Sequence, residues 1–152
     1  MNIRVNCRMV VNRKKIEQKY GLGKYGPVQK YIDSEVIKQM EPYTPYDTGA
    51  MHRSAIAGTV IGSGKIKYLS PYARYLYYGV IYGPNIPIKE NGIIVGWRSP
   101  AKKKKYPTGR PLKYNRDKQP KAGKFWFERM KADKKEQLRR GALEVMKRCS
   151  KG

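Results

Sequence analysis

At 152 residues the chain is long enough for one domain with a real hydrophobic core and too short for two full ones. Thirty-four Lys and Arg against 11 Asp and Glu give a formal net charge of +23, an excess that repels itself unless polyanions or acidic protein surfaces lie close by. No run approaches the ~18 apolar residues of a membrane span, and the opening "MNIRVNCRMVVN" lacks the continuous apolar core of a signal peptide. The expectation is a protein made and kept in a cytoplasm-like environment, with no membrane partner.

Ile3, Val5, Cys7, Met9 and Val11 alternate with mostly polar residues, a period of two that predicts a half-buried strand. "NRKKIEQKY" predicts a short helical turn capped by Asn12, and "GLGKYGP" interrupts it. Pro27 suits the first turn of a helix. Val28, Ile32, Val36 and Met40 follow at steps of four, so "PVQKYIDSEVIKQM" reads as an amphipathic helix ended by Pro42.

"YTPYDTG" is a turn-rich connection. Beyond it, "AMHRSAIAGTVIGSGKIKYLS" offers two apolar runs around Gly62-Ser63-Gly64, which predicts a hairpin. Ser70-Pro71 opens a short helix, "PYARYLYYG", closed by Gly79, and "GIIVGW" at 92 to 97 reads as a strand. Residues 98 to 124 hold eleven Lys and Arg against Asp117 alone, a net +10 without clear period, and predict a long basic loop. "KFWFERMKADKKEQLRRGALEVMKR" then aligns Phe125 or Trp126 with Met130, Leu138, Ala142, Val145 and Cys149 on one helical face. Gly141 weakens that helix by ~1 kcal/mol relative to alanine.

The fold expected is a single α+β domain over residues 1 to 152. It has a small antiparallel sheet packed with a helix in the N-terminal half and a long C-terminal helix, plus an extended basic arm at about 98 to 124.

Several chemistries are excluded or disfavoured. Cys7 and Cys149 lie near opposite ends without CxxC spacing, which points to two inert thiols. No cofactor or metal is expected, since His52 is the sole histidine. "GLGKYG" lacks the context of a phosphate-binding loop. Asp47-Thr48-Gly49-Ala50 spells the active-site loop of a retroviral-type aspartic protease, but that chemistry needs two carboxylates about 3 Å apart sharing a proton. The aspartate there leaves a buried apolar strand, whereas Asp47 follows "PYTPY". A turn explains the same letters: Pro45 stiffens the approach, Asp47 and Thr48 hydrogen-bond to nearby backbone, and Gly49 takes a positive φ. No catalytic residue is assigned.

Thirteen tyrosines accompany two phenylalanines. Tyr72, Tyr75, Tyr77, Tyr78 and Tyr82 cluster in "SPYARYLYYGVIYG". The expectation is that some, Tyr72 and Tyr75 first, wedge the short helix against the sheet, while the rest form a subunit interface.

The order Pro45-x-Asp47-Thr48-Gly49-x-Met51-x-x-Ser54, then Tyr68-x-x-Pro71-Tyr72-Ala73-x-Tyr75 and Gly79, then a Trp after a strand and the aromatic-led helix "FWFERM", resembles tailed-phage neck proteins. These are minor capsid and tail-completion proteins of the HK97 gp10-like family, and the resemblance runs from about residue 27 to 149. It implies a non-enzymatic virion component at the head–tail interface, made in the host cytoplasm. Such subunits assemble as rings, often six-fold, between head-closure proteins and the tail-terminator or tail-tube proteins, with packaged DNA in the channel. The arm is more basic than that pattern requires. On this reading Lys102, Lys103, Lys104, Lys105, Arg110, Lys113 and Arg116 meet DNA or an acidic partner. The rival expectation is a stand-alone basic nucleic-acid-binding protein, which the charge favours; no helix-turn-helix, zinc or RRM signature accompanies it.

Overall fold

The computed structural model describes residues 12 to 151. The fold is α+β, and in chain order it holds α1 (Arg13–Tyr20), α2 (Pro27–Met40), a 3-10 turn (Glu41–Tyr43), α3 (Ala50–Gly58), α4 (Ala73–Tyr78), β1 (Val80–Gly83), β2 (Ile86–Glu90), β3 (Ile93–Arg98), β4 (Tyr106–Pro111) and α5 (Trp126–Lys151). The strand expected from Ile3 to Val11 lies outside the described residues, as does Cys7. Cys149 is a free, half-buried thiol.

Two compact units divide the chain. The first contains α1, α2 up to Val36, residues 60 to 65, and α5 from Glu136 onward. Asn12 caps α1 as expected, its side chain accepting from the Lys15 amide at 3.2 Å, and Gly21 closes the helix in the left-handed region at φ 64°. The amides of Gly21, Leu22, Tyr25 and Gly26 donate to the carbonyls of Gln18, Glu17, Gly62 and Gly23, so these N–H groups are engaged by backbone instead of aimed at an anion.

Asp33 organises this unit. It is 3% exposed on α2, and its Oδ2 accepts from the amides of Gly62 at 2.8 Å and Gly64 at 3.0 Å. Oδ1 accepts from Gln29 Nε2 at 2.7 Å. This corrects the expected hairpin around Gly62-Ser63-Gly64: no strand flanks the turn, because one buried carboxylate binds the amides that a ladder would otherwise engage.

The second unit holds residues 37 to 59 and 66 to 135. Its core gathers Ile37, Met40, Tyr43, Met51, Ala55, Ala122, Trp126 and Met130, all buried. The stretch after Gly49, expected as an apolar run of the hairpin, is instead α3, with Met51 and Ala55 buried one turn apart. Pro42 ends α2 as predicted, and Thr44 secures the exit by donating from its amide and its hydroxyl to Met40 O. Trp126, not Phe125, is the buried aromatic leading α5.

Strand pairing is antiparallel and split between two ribbons. β2 and β3 pair from Ile86↔Arg98 to Glu90↔Ile93, with an irregularity after Ile88. Asn91 at φ 49° and Gly92 at φ 82° make the two-residue turn whose twist suits a hairpin. β1 pairs with β4, Gly83 opposite Tyr106 and Val80 opposite Pro111. The basic arm is therefore not a loop throughout. Its middle is β4, held by Thr108 Oγ1 donating to Ile81 O at 2.7 Å. Two prolines are tolerated there because both strands of a two-stranded ribbon are edges.

Candidate interaction surface

The motif segments, distant in sequence, meet in the second unit. An open groove of about 330 Å³ is lined by Pro45, Tyr46, Asp47, Thr48, Ala50 and Met51, by Ser70, Tyr72 and Leu76, and by Leu112 to Asn115 of the arm. Gly49 stands behind it at φ 76°, starting α3 without any side-chain cap. The backbone bonds expected from Asp47 and Thr48 do not form: both side chains are exposed, and the bend rests on glycine's access to the left-handed region.

Asp47 is the only carboxylate lining the groove. A shared-proton pair needs a second one. Lys113 lines the same groove, yet among the described residues no ion pair joins it to Asp47. His52 is half-buried on α3, with Nε2 3.9 Å from Glu41 Oε2. No group of three or more His, Cys, Asp or Glu among the described residues is placed to hold a metal ion.

The groove's wall is fixed from behind. Tyr114 donates its hydroxyl to Leu76 O at 2.5 Å, and burial raises its pKa. A Cβ at Gly79 would stand 2.8 Å from that hydroxyl, so glycine is required there by φ 69° and by this close approach. Tyr68, a motif residue, accepts from Trp126 Nε1 at 3.0 Å and meets its ring edge-on.

The five clustered tyrosines divide. Tyr77 lies against Trp126 with centroids 4.7 Å apart, edge to face, and donates to Glu128; burial first, then that bond, raises its pKa. Tyr75 and Tyr82 form a tilted pair at 4.6 Å and are half-buried. Tyr78 is 50% exposed and Tyr72 66%. This corrects the expectation for Tyr72. It precedes the first residue of α4 and is exposed, while Tyr75 packs on Tyr82 of β1 and Tyr77 packs on Trp126 of α5.

Of the arm's cations, Lys102, Lys103 and Lys104 are exposed on the turn between β3 and β4. Lys105 is half-buried and donates to Asn85 Oδ1 at 3.1 Å. Arg110 is exposed on β4, while Arg116 donates from Nε to Ala122 O at 3.2 Å and braces the loop before α5. Sequence reading missed Tyr43, Tyr114 and Asp33 as organisers. Tyr43 lies in the turn-rich "EPYTPY", Tyr114 in the basic "LKYNRDK" and Asp33 in the mixed "KYIDSE", and none of these contexts marks a buried partner.

Compared with protein families, curated proteins and solved structures, the chain matches no family model, no curated protein and no solved structure. No helix among the described residues is long and apolar enough to cross a membrane.

Proposed function

We propose that the protein is a structural subunit of a tailed-phage virion, a ring-forming connector at the neck that joins head-closure proteins to the tail. No reaction and no cofactor belong to this reading. The observation that carries it is the convergence of the two motif segments and the arm on one groove, with Tyr72 exposed at its rim and a single carboxylate inside. Such a groove offers shape and aromatic area to a protein partner.

Charge supports the same reading. Lys102 to Lys104 are exposed, and a ring of six copies would carry a formal +138. Acidic neighbours or packaged DNA would offset it. Replacing Lys102, Lys103, Lys104 and Lys105 by glutamate is expected to block head–tail joining while leaving the subunit folded, scored by reconstitution with purified phage heads and tails. Normal joining by that mutant rejects the reading.

The exposed lysines also favour a second reading, an independent nucleic-acid-binding protein. A dedicated binder retains affinity as a monomer with a steep salt slope. A connector gives weak, nonspecific DNA affinity and engages heads.

A further inference from the structure

The β2–β3 ribbon is apolar on both faces, and both faces are open. The register sets Ile86, Ile88 and Ile93 on one side with Glu90 and Arg98, and Pro87, Ile94 and Trp97 on the other with Lys89; Val95 occupies the irregularity between them. Ile93 is 69% exposed, Trp97 61% and Val95 54%, and Ile86, Ile88 and Ile94 are exposed as well. An antiparallel ribbon with one solvated face alternates apolar with polar residues, whereas near-continuous apolar strands belong where both faces are covered. A two-stranded hairpin is also marginal alone in water.

Charge selects what covers it. From Ile86 to Arg98 the charged residues are Lys89, Glu90 and Arg98, a net +1 in a chain of +23. A surface for nucleic acid or an acidic protein would carry the cations found elsewhere in the chain. A surface for another +23 molecule has to omit them, because juxtaposed like charges cost several kcal/mol. Six aliphatic and aromatic residues exposed together on one ribbon are the kind of contiguous apolar patch that marks an interaction site.

We propose that this ribbon, residues 86 to 98, is a self-assembly arm covered on both faces by a second copy of the chain. Where the ribbon of one protomer meets a different surface of the next, the contact is heterologous and closes rings or extends filaments. The inference deepens the connector reading and takes from it only that copies assemble.

The test is sedimentation velocity of the nuclease-treated full chain at physiological ionic strength, beside Ile88→Lys and Trp97→Lys, which charge one face each. The wild type is expected to sediment as an oligomer, and each variant as a 17.6 kDa monomer with an unchanged far-ultraviolet circular dichroism spectrum. A wild type that stays monomeric at every concentration, or a variant that assembles as the wild type does, overturns the inference. Head binding separates the two readings. Variants that assemble normally and bind heads leave the connector standing without the arm. A wild type whose ribbon-dependent oligomer ignores heads and tails keeps the arm and loses the connector.

Discussion

The hydroxyl of Tyr31 on α2 occupies the space that a Cβ at Gly141 of α5 would take. Glycine inside a long helix normally costs ~1 kcal/mol relative to alanine. Here it admits a phenol ring across the helix, and the pKa of that phenol is raised by burial. Gly141→Ala is therefore expected to destabilise by about 1–3 kcal/mol, as overpacking does, instead of stabilising. Chemical denaturation compares the two; a gain in stability would show that Tyr31 moves aside freely.

Asp33 accepts three hydrogen bonds from a buried position. Asn offers one acceptor oxygen and turns an amide NH₂ toward N–H donors. Asp33→Asn is expected to cost about 1.5–3 kcal/mol, with exchange protection lost first at the amides of Gly62 and Gly64. Hydrogen exchange by NMR reads both; unchanged protection there would remove Asp33 from its organising role.

Tyr43 donates to Asp133 Oδ2 at 2.6 Å and accepts from Lys121 Nζ at 3.3 Å. Tyr43's hydroxyl first, then Lys121, holds the Asp133 carboxyl below its ordinary value. That contribution is complete above the unfolded value and is lost as pH falls through the lowered folded one. The Lys121 ammonium is raised by its bond to Tyr43, and Tyr43 is raised by burial and by its bond to Asp133. Both of those contributions are present below the unfolded values, near 10, and are lost as pH rises through the folded ones. Tyr43→Phe is expected to cost about 1 kcal/mol near neutrality and to flatten the decline in urea midpoint at both extremes. A mutant curve parallel to the wild type throughout would contradict this.

The turn at 45 to 49 separates backbone from side chain. Gly49→Ala is expected to cost about 1–2 kcal/mol for the left-handed φ, whereas Asp47→Asn, exposed and uncapping, should stay within about 0.5 kcal/mol. Thermal melts of both measure it. Peptide cleavage by the wild type that disappears in Asp47→Asn would overturn the non-enzymatic proposal.

How far the sequence could be read follows from how local each signal is. The spacing of Val28, Val36 and Met40 locates α2 because a single helix face explains it, and the Gly-bounded "ARYLYYG" locates α4. The stretch at 50 to 58 misleads because its apolar residues suit either period, and burial of Met51 and Ala55 decides for a helix. β4 is hidden because two of its six residues are prolines and a lysine run precedes it, and only its pairing with β1 defines it. In the groove, Pro45 to Met51 and Tyr72 are legible as a motif, but their meeting with Leu112 to Asn115 is a tertiary fact. The exposure of Tyr72 depends on where α4 begins, at Ala73 instead of Pro71.

The chain's two tryptophans sit in opposite environments: Trp126 is 1% exposed in a core, and Trp97 is 61% exposed on the ribbon. Intrinsic fluorescence thus contains two independent reporters. Acrylamide should quench Trp97 readily in the free subunit and poorly once the ribbon is covered, with a blue-shifted emission maximum. Trp126 should stay dark to the quencher until the fold itself opens, so a single cuvette can tell association from denaturation without any added dye.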